Sequence, residues 1–332
     1  MRQALFILFV VLFSWNAYGQ DPQFSQFYSA PMYLNPAFAG NTLQSRFVAN
    51  YRNQWPSIPG AFVSYALSYD HNFEDINSGV ALAIQHDKAG SAGLRYTNFA
   101  TQYSYTIKLS RRWAAKPGLN FSYTIRDIDY SELLFGDQLL SQNSSSISVP
   151  TREKPVTYAD IGAGGLLYSR NVWVGMAAQH LNQPNQSLIG GESKLPIRFS
   201  LHGGYNITVS KSVKKLTLSS ITLTGNYKAQ QKWDQLDLGL YFDYKPFVVG
   251  LWYRGLPALK SEEGNINHDA LVVLLGYKIN DFRVGYSYDL TISRLLTNTG
   301  GAHEISVIYE FASSDKKRKR KRQRFLVPCA KF

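Results

Sequence analysis

The chain has 332 residues, 35 Lys and Arg against 23 Asp and Glu, and a single cysteine, so no intramolecular disulfide can hold it together. Of the formal charge of +12, a net +8 sits in residues 315–332, where nine Lys/Arg face one Asp, and the remainder is close to balanced. A basic tail on a near-neutral body does not make a nucleic-acid-binding domain. The mean hydropathy of -0.22 is what a soluble protein would show, but it is also what a transmembrane barrel shows, because barrel strands alternate apolar and polar residues.

Arg2, the apolar run from Ala4 to Phe13 and the small-x-small site Ala17-Tyr18-Gly19 form the layout of a cleavable secretory leader. The apolar run falls short of the ~20 residues a membrane helix needs. The mature chain is expected to begin at Gln20 and to lie beyond the cytoplasm. No other stretch is long enough for a membrane helix.

Asp21 to Asn41 comes next. It places five aromatic residues (Phe24, Phe27, Tyr28, Tyr33, Phe38) among polar ones and three prolines. This is too irregular for a strand or a long helix and too aromatic for a free linker. Two readings stand: packing on the mouth or in the lumen of a barrel, or a plug or partner-docking element.

From Arg46 onward, period-two alternation predicts about fourteen strands. They begin near Arg46, Ala61, Gly79, Leu94, Trp113, Tyr158, Asn171, Ile197, Lys215, Leu236, Phe247, Asp269, Phe282 and Ala302. The clearest runs from Ile197 to Ser210. Phe199, Leu201, Tyr205 and Ile207 fall on one face, and Arg198, Ser200, His202 and Asn206 on the other. Several strands exceed the 5–6 residues usual in soluble sheets and match the ~9–11 of membrane strands.

The connections are read as alternating short and long. Ser110-Arg111-Arg112, Ser169-Arg170, Lys245-Pro246 and Asn280-Asp281 are tight. Asp127 to Thr157, Leu181 to Pro196, Gly255 to His268 and Thr291 to Gly301 are long. Short periplasmic turns and longer outer loops mark outer-membrane barrels. The expected fold is therefore an all-β transmembrane antiparallel up-and-down barrel of about 14 strands in the outer membrane, with both termini periplasmic. Residues 1–19 are the leader, 20–45 a periplasmic or plug segment, 46–312 the barrel and 313–332 the basic tail.

Aromatic residues near strand ends suit the two interfaces of a bilayer: Tyr65, Tyr69, Tyr103, Trp113, Tyr244, Trp252, Tyr286, Tyr288, Tyr309 and Phe311. The opposite faces carry Arg126, Asp160, Arg198, His202, Asp237, Arg283, Asp289, Glu304 and Glu310 and are expected to line the lumen, since charges facing lipid are costly. Gly162, Gly164 and Gly165 suggest a bend or a close backbone approach.

After the last strand come Lys316, Lys317, Arg318, Lys319, Arg320, Lys321, Arg322 and Arg324. This run reads as a solvated tail, as a contact for acidic periplasmic partners or peptidoglycan-associated rings, or as a contact for anionic lipid at roughly 1 kcal/mol per cation. The apolar close, FLVPCAKF, suggests that the tail end docks. There is no GxSxG, HExxH, Gly-rich phosphate loop or paired-cysteine metal site, and the six histidines are scattered. Neither an enzyme nor a cofactor is expected.

The segments DPQFSQFY and NPAFAG (from Asp21), with YRNQWP (Tyr51 to Pro56) and SYD (Ser68 to Asp70), resemble the PorP/SprF family of Bacteroidota outer-membrane proteins. The resemblance is densest over Asp21 to Asp70. It implies association with type IX secretion, where members assist secretion or surface attachment of partners, including gliding adhesins. It points to Phe24, Phe27, Tyr28, Asn35, Pro36, Arg52, Gln54 and Trp55 as structural or docking residues. Arg52 is expected to pair with a carboxylate, and Trp55 to fold into the mouth or meet a partner. The implied partners are outer-membrane lipid, a secreted surface adhesin or its C-terminal domain, and periplasmic secretion components. The alternative is a general porin or small-solute transporter.

Overall fold

The computed structural model describes residues 21–90, 93–141, 146, 155–211, 217–231, 233–256, 267–292, 299–311 and 327–328. The expected leader, the basic run 316–324 and Cys329 lie outside the described residues.

Fourteen antiparallel strands close into one barrel. In chain order they are β1 (Ser45–Gln54), β2 (Phe62–Phe73), β3 (Ser78–Ala89), β4 (Leu94–Tyr105, resumed at Ile107–Lys108), β5 (Ala114–Asp127), β6 (Val156–Tyr168), β7 (Val172–Gln179), β8 (Arg198–Lys211), β9 (Thr217–Gln230), β10 (Trp233–Tyr244), β11 (Phe247–Leu256), β12 (Asn267–Ile279), β13 (Phe282–Thr291) and β14 (Ala302–Phe311). Each pairs with its neighbours in the chain, and β14 returns to β1 with Ser45 opposite Phe311 and Gln54 opposite Ala302. Closure matters because an open sheet edge in hydrocarbon would strand backbone groups at several kcal/mol each.

The alternation of the sequence becomes the two faces of the wall. On β5, Leu119, Phe121 and Tyr123 point outward and are about half exposed, while Asn120, Ser122 and Thr124 point inward and are buried. The same holds around the ring, so the outside is an apolar band that only lipid can cover. Among the described residues no helix is long and apolar enough to cross a membrane; the strands make the crossing.

The two rims differ. One carries residues 74–77, 109–113, 169–171, 245–246 and 280–281, together with both ends of the barrel chain. The other carries the connections from β1 to β2, β3 to β4, β5 to β6, β7 to β8, β9 to β10, β11 to β12 and β13 to β14. We call these the turn rim and the loop rim. The long–short parity is not complete. The β9–β10 connection lies on the loop rim yet is short, with Gln230 paired to Trp233 and Gln231 at φ 54, and the β3–β4 connection between Ala89 and Leu94 is short as well. A left-handed residue lets two long strands reverse without a loop, and reading the parity as unbroken overlooked both.

Lumen placement is borne out for Asp160, Arg198, His202, Asp237, Arg283, Asp289, Glu304 and Glu310, all buried. Trp252 is a correction. Period two on β11 puts it in line with Val248, Gly250 and Arg254, so it points into the barrel and is 1% exposed, not at the lipid interface.

Candidate functional site

Inside the barrel lies the chain that precedes β1. Residues 24–43 are nearly all buried, and they touch strands on every side of the lumen. Two proline-started turns give the segment its shape. The first is a one-turn helix α1, Pro31–Leu34, and the second a 3-10 turn, Pro36–Phe38. Proline suits the first position of each, where its missing N–H is not needed. Asn35 sits between them and its Oδ1 accepts from Ala37 N at 2.9 Å, capping the second turn.

The upper part of the segment holds a buried charge cluster. Glu304 on β14 accepts backbone N–H bonds from Ser25 (2.6 Å) and Gln26 (3.1 Å). Ser25 Oγ donates to Asp289 on β13 at 2.5 Å, and accepts from Arg52 on β1 and Arg254 on β11 at 2.5 and 2.7 Å. Arg52 pairs with Asp289 at 2.9 Å and Glu304 at 3.4 Å. Arg254 bridges Asp289 and Asp237, both at 3.1 Å. Gln26 fits the same wall: Ser306 Oγ donates to its Oε1 at 2.6 Å, and its Nε2 donates to Glu304 O at 3.0 Å. In this dry setting each charge requires its partner, because an orphaned buried ion costs several kcal/mol.

The middle is aromatic. Phe27 packs edge-on to Trp252 with ring centroids 6.3 Å apart, and Tyr28 lies edge-on to Trp173 at 5.7 Å. Tyr28 Oη also accepts from Trp173 Nε1 and Thr224 Oγ1. Phe38 stacks on His202 at 5.4 Å. Asn35 Nδ2 donates to the carbonyls of Met176 (2.9 Å) and Gly165 (3.2 Å).

Toward the turn rim the wall is dented to receive the segment. A Cβ built on Gly79 would lie 2.2 Å from Ala39 O; on Gly118, 2.4 Å from Ala37 N; on Gly164, 2.1 Å from Asn35 Oδ1. Only glycine lets backbone approach this closely. Of the three glycines singled out in the sequence, Gly164 makes the close approach, Gly162 is only snug, and nothing lies within 4 Å of the Gly165 position. Gly79 and Gly118 carried no sequence signal beyond being glycines on inward faces. Lys116 Nζ and Ser104 Oγ both donate to Ala39 O, at 2.7 and 2.8 Å. Val327 closes this end: it is 1% exposed and its N donates to Asn41 Oδ1 at 2.9 Å, so of the apolar close it is Val327 that is seen to dock.

Toward the loop rim lies Asp21. Its carboxylate meets His180 Nε2 and Arg198 Nη1, both at 2.9 Å, and His180 Nδ1 meets Asp160 at 2.8 Å. Burial alone would raise the Asp21 carboxyl, but Arg198 and His180 hold it below the usual range. Burial disfavours charge on His180, yet Asp21 and Asp160 bring it up to about 9. Above this latch a vestibule of about 610 Å³ opens, walled by Trp55, Phe62, Tyr158 and Trp233 and floored by Asp21 to Gln23 with Arg52 and Arg254.

The expected site residues therefore separate. Phe24, Phe27, Tyr28, Asn35, Pro36 and Arg52 are brought together inside the barrel, and Arg52 finds its carboxylates. Gln54 accepts from Arg52 Nη2 at 3.3 Å at the vestibule edge. Trp55 is half-buried in the mouth, at φ 60 and edge-on to Phe62 at 5.5 Å. The basic-run residues lie outside the described set. Arg254 was missed, although a lone arginine on the inward face of an apolar strand (Val248, Gly250, Trp252, Arg254) was a readable signal.

The family model described as type IX secretion system membrane protein PorP/SprF matches residues 16–309. The chain belongs to the PorP/SprF family. It is a type IX secretion membrane protein, and its place is the outer membrane. No curated protein sequence matches it. Among solved structures, this PorP/SprF barrel is similar to the Acinetobacter baumannii outer membrane protein Omp33, at 8% identity over 82% of this chain and 100% of that one, with a TM-score of 0.46. It is also similar to the Ralstonia pickettii toluene transporter TbuX, at 11% identity over 85% of this chain and 94% of that one, with a TM-score of 0.49. The P. putida toluene transporter TodX gives 10% identity over 84% and 93%, with a TM-score of 0.47. At those scores they add nothing to the barrel already described.

Proposed function

We propose that this PorP/SprF protein is a docking platform of type IX secretion, one that binds, helps secrete or anchors a secreted surface protein such as a gliding adhesin. The observation that carries this reading is the filled lumen. A diffusion porin has no use for a segment bonded to the wall by its backbone, packed on Trp173 and Trp252 and seated in three glycine dents. The same observation counts against the alternative of a porin or small-solute transporter.

In this reading the loop rim faces outward, as longer loops do in outer-membrane barrels. The vestibule with Trp55 receives the partner, and the N-terminal segment is its rigid floor. Both ends of the barrel strands, Ser45 and Phe311, then lie on the periplasmic side, while the N-terminal segment reaches through the lumen to place Asp21 beneath the vestibule; the run 316–324, which follows β14, meets periplasmic secretion components or anionic lipid. No catalytic step is assigned to any residue. The test is purification in mild detergent from cells with a working secretion system. Co-purification of a surface protein, with negligible conductance in planar bilayers, supports the platform. Recovery of the barrel alone with a large ohmic conductance overturns it.

A further inference from the structure

The N-terminal segment does not fill the lumen evenly. Against β7 to β12 it packs dry on Trp173, Tyr241, Trp252 and Leu274. Against β1 to β5 it leaves a narrow crevice of about 60 Å³, whose wall side is made of small or uncharged residues such as Ala66, Ser68, Ala83 and Ala100.

Four buried polar atoms belong to residues lining this crevice and have no protein partner: Asn50 Nδ2, Gln85 Nε2, Gln102 Oε1 and Asp160 Oδ1. Buried polar atoms in native proteins are almost always bonded, to protein, to water or to a ligand. Four around one small cavity mark a polar site, two donors and two acceptors. The crevice is closed toward the turn rim, where Gln102 Nε2 donates to Met32 O at 2.7 Å and Ser104 to Ala39 O. It meets the vestibule at Asp21, Tyr33, Tyr96 and Arg198, which line both. Whatever enters it comes from the loop rim.

We propose that the crevice is a binding site for a neutral polar group of a few heavy atoms, a carboxamide or hydroxyl at the tip of a ligand that enters through the vestibule. The volume matches about four water-sized positions, the space of a CH₂–CONH₂ group. The unpaired atoms offer both donors and acceptors, as an amide requires. An anionic tip is disfavoured, since Arg198 and His180 are already engaged by Asp21 and an added carboxylate would lie buried beside Asp160 without a free cation among the described residues that line the crevice. The site does not rest on the capture of a surface protein. A barrel that captures no partner would still bind the probe.

The experiment uses the full-length barrel in detergent with ¹³C-methyl alanine. The probes are N-acetyl-Gly-Asn-amide and its aspartate counterpart. The expected result is saturable shifts at the methyls of Ala66, Ala83 and Ala100 with the asparagine probe, and at least tenfold weaker binding of the aspartate probe. Ala83→Leu, which fills the crevice, should abolish the shifts. Gln85→Leu removes an atom that has no protein partner and so should leave the fold intact while weakening binding about three- to tenfold. No saturable shift in the wild type leaves a site that holds water only, and equal binding of both probes shows no preference for a neutral group; either result overturns the proposal. So does binding unchanged in Gln85→Leu.

Discussion

Gly118→Val puts the seating of the N-terminal segment to a direct test. A Cβ at position 118 would sit 2.4 Å from Ala37 N and 2.6 Å from Ala37 Cα, so the obstacle is backbone and not a side chain that can swing away. That backbone is fixed from the far side by Asn35, Ser104 and Lys116. Overpacking a site that can yield costs about 1–3 kcal/mol. This one yields poorly, so the upper end applies, and ~3 kcal/mol shifts the ratio of seated to unseated segment by about two orders of magnitude. Gly165→Val is the control, because nothing lies within 4 Å of its Cβ position. The reporter is Ser29→Cys in a Cys329→Ser background, a buried position at 1% exposure. Its thiol should resist a polar maleimide in the parent and in Gly165→Val, and react at least tenfold faster in Gly118→Val. Equal rates in both glycine variants would refute the reasoning.

Further outcomes follow from the same contacts. Glu304→Ala should leave the N–H groups of Ser25 and Gln26 and part of the Arg52 charge unmatched, costing about 3–5 kcal/mol; a lowered temperature for the heat-modifiability shift on gels would register it, with Glu304→Gln much milder. Phe27→Ala should cost about 3–5 kcal/mol by the same readout, because the ring is 1% exposed and packs on Trp252. The Asp21 latch should hold only within a pH window. His180 is raised from 6.5 to about 9, so its charged form stabilises the latch fully below about pH 6.5 and that contribution is lost as pH rises through 9. Asp21 is lowered from 3.8, so its contribution is present above that value and is lost only as pH falls well below it. Amide exchange of Gln23 and Phe24 should therefore quicken toward alkaline pH beyond the intrinsic rate, and His180→Asn should remove that extra alkaline step.

Much of the barrel was legible because its physics is local. A strand that faces lipid on one side and a polar interior on the other must alternate, so each predicted strand start falls within three residues of the observed one. What stayed hidden depends on three dimensions. Trp252 looks like an interface aromatic in the sequence; only its register with Arg254 and the arrival of Phe27 explain an indole inside the lumen. The short reversal between Gln230 and Trp233 hid in the loop count because a left-handed residue, Gln231, can stand where a loop was expected. The motif DPQFSQFY and NPAFAG announced an important segment but not its partners. Ser25 meets Glu304, Asp289 and Arg254 across more than two hundred residues of chain, a contact with no local signature.

The central claim is that the loop rim of this filled barrel receives a secreted partner. A photo-crosslinking residue at Trp55, in the vestibule mouth, compared with one at Ile76 on the turn rim, tests it in cells with an active secretion system. The account predicts that Trp55 crosslinks to a secreted surface protein, and that Ile76 crosslinks only to periplasmic proteins or lipid. Crosslinks to the surface protein from Ile76 and none from Trp55 would contradict it.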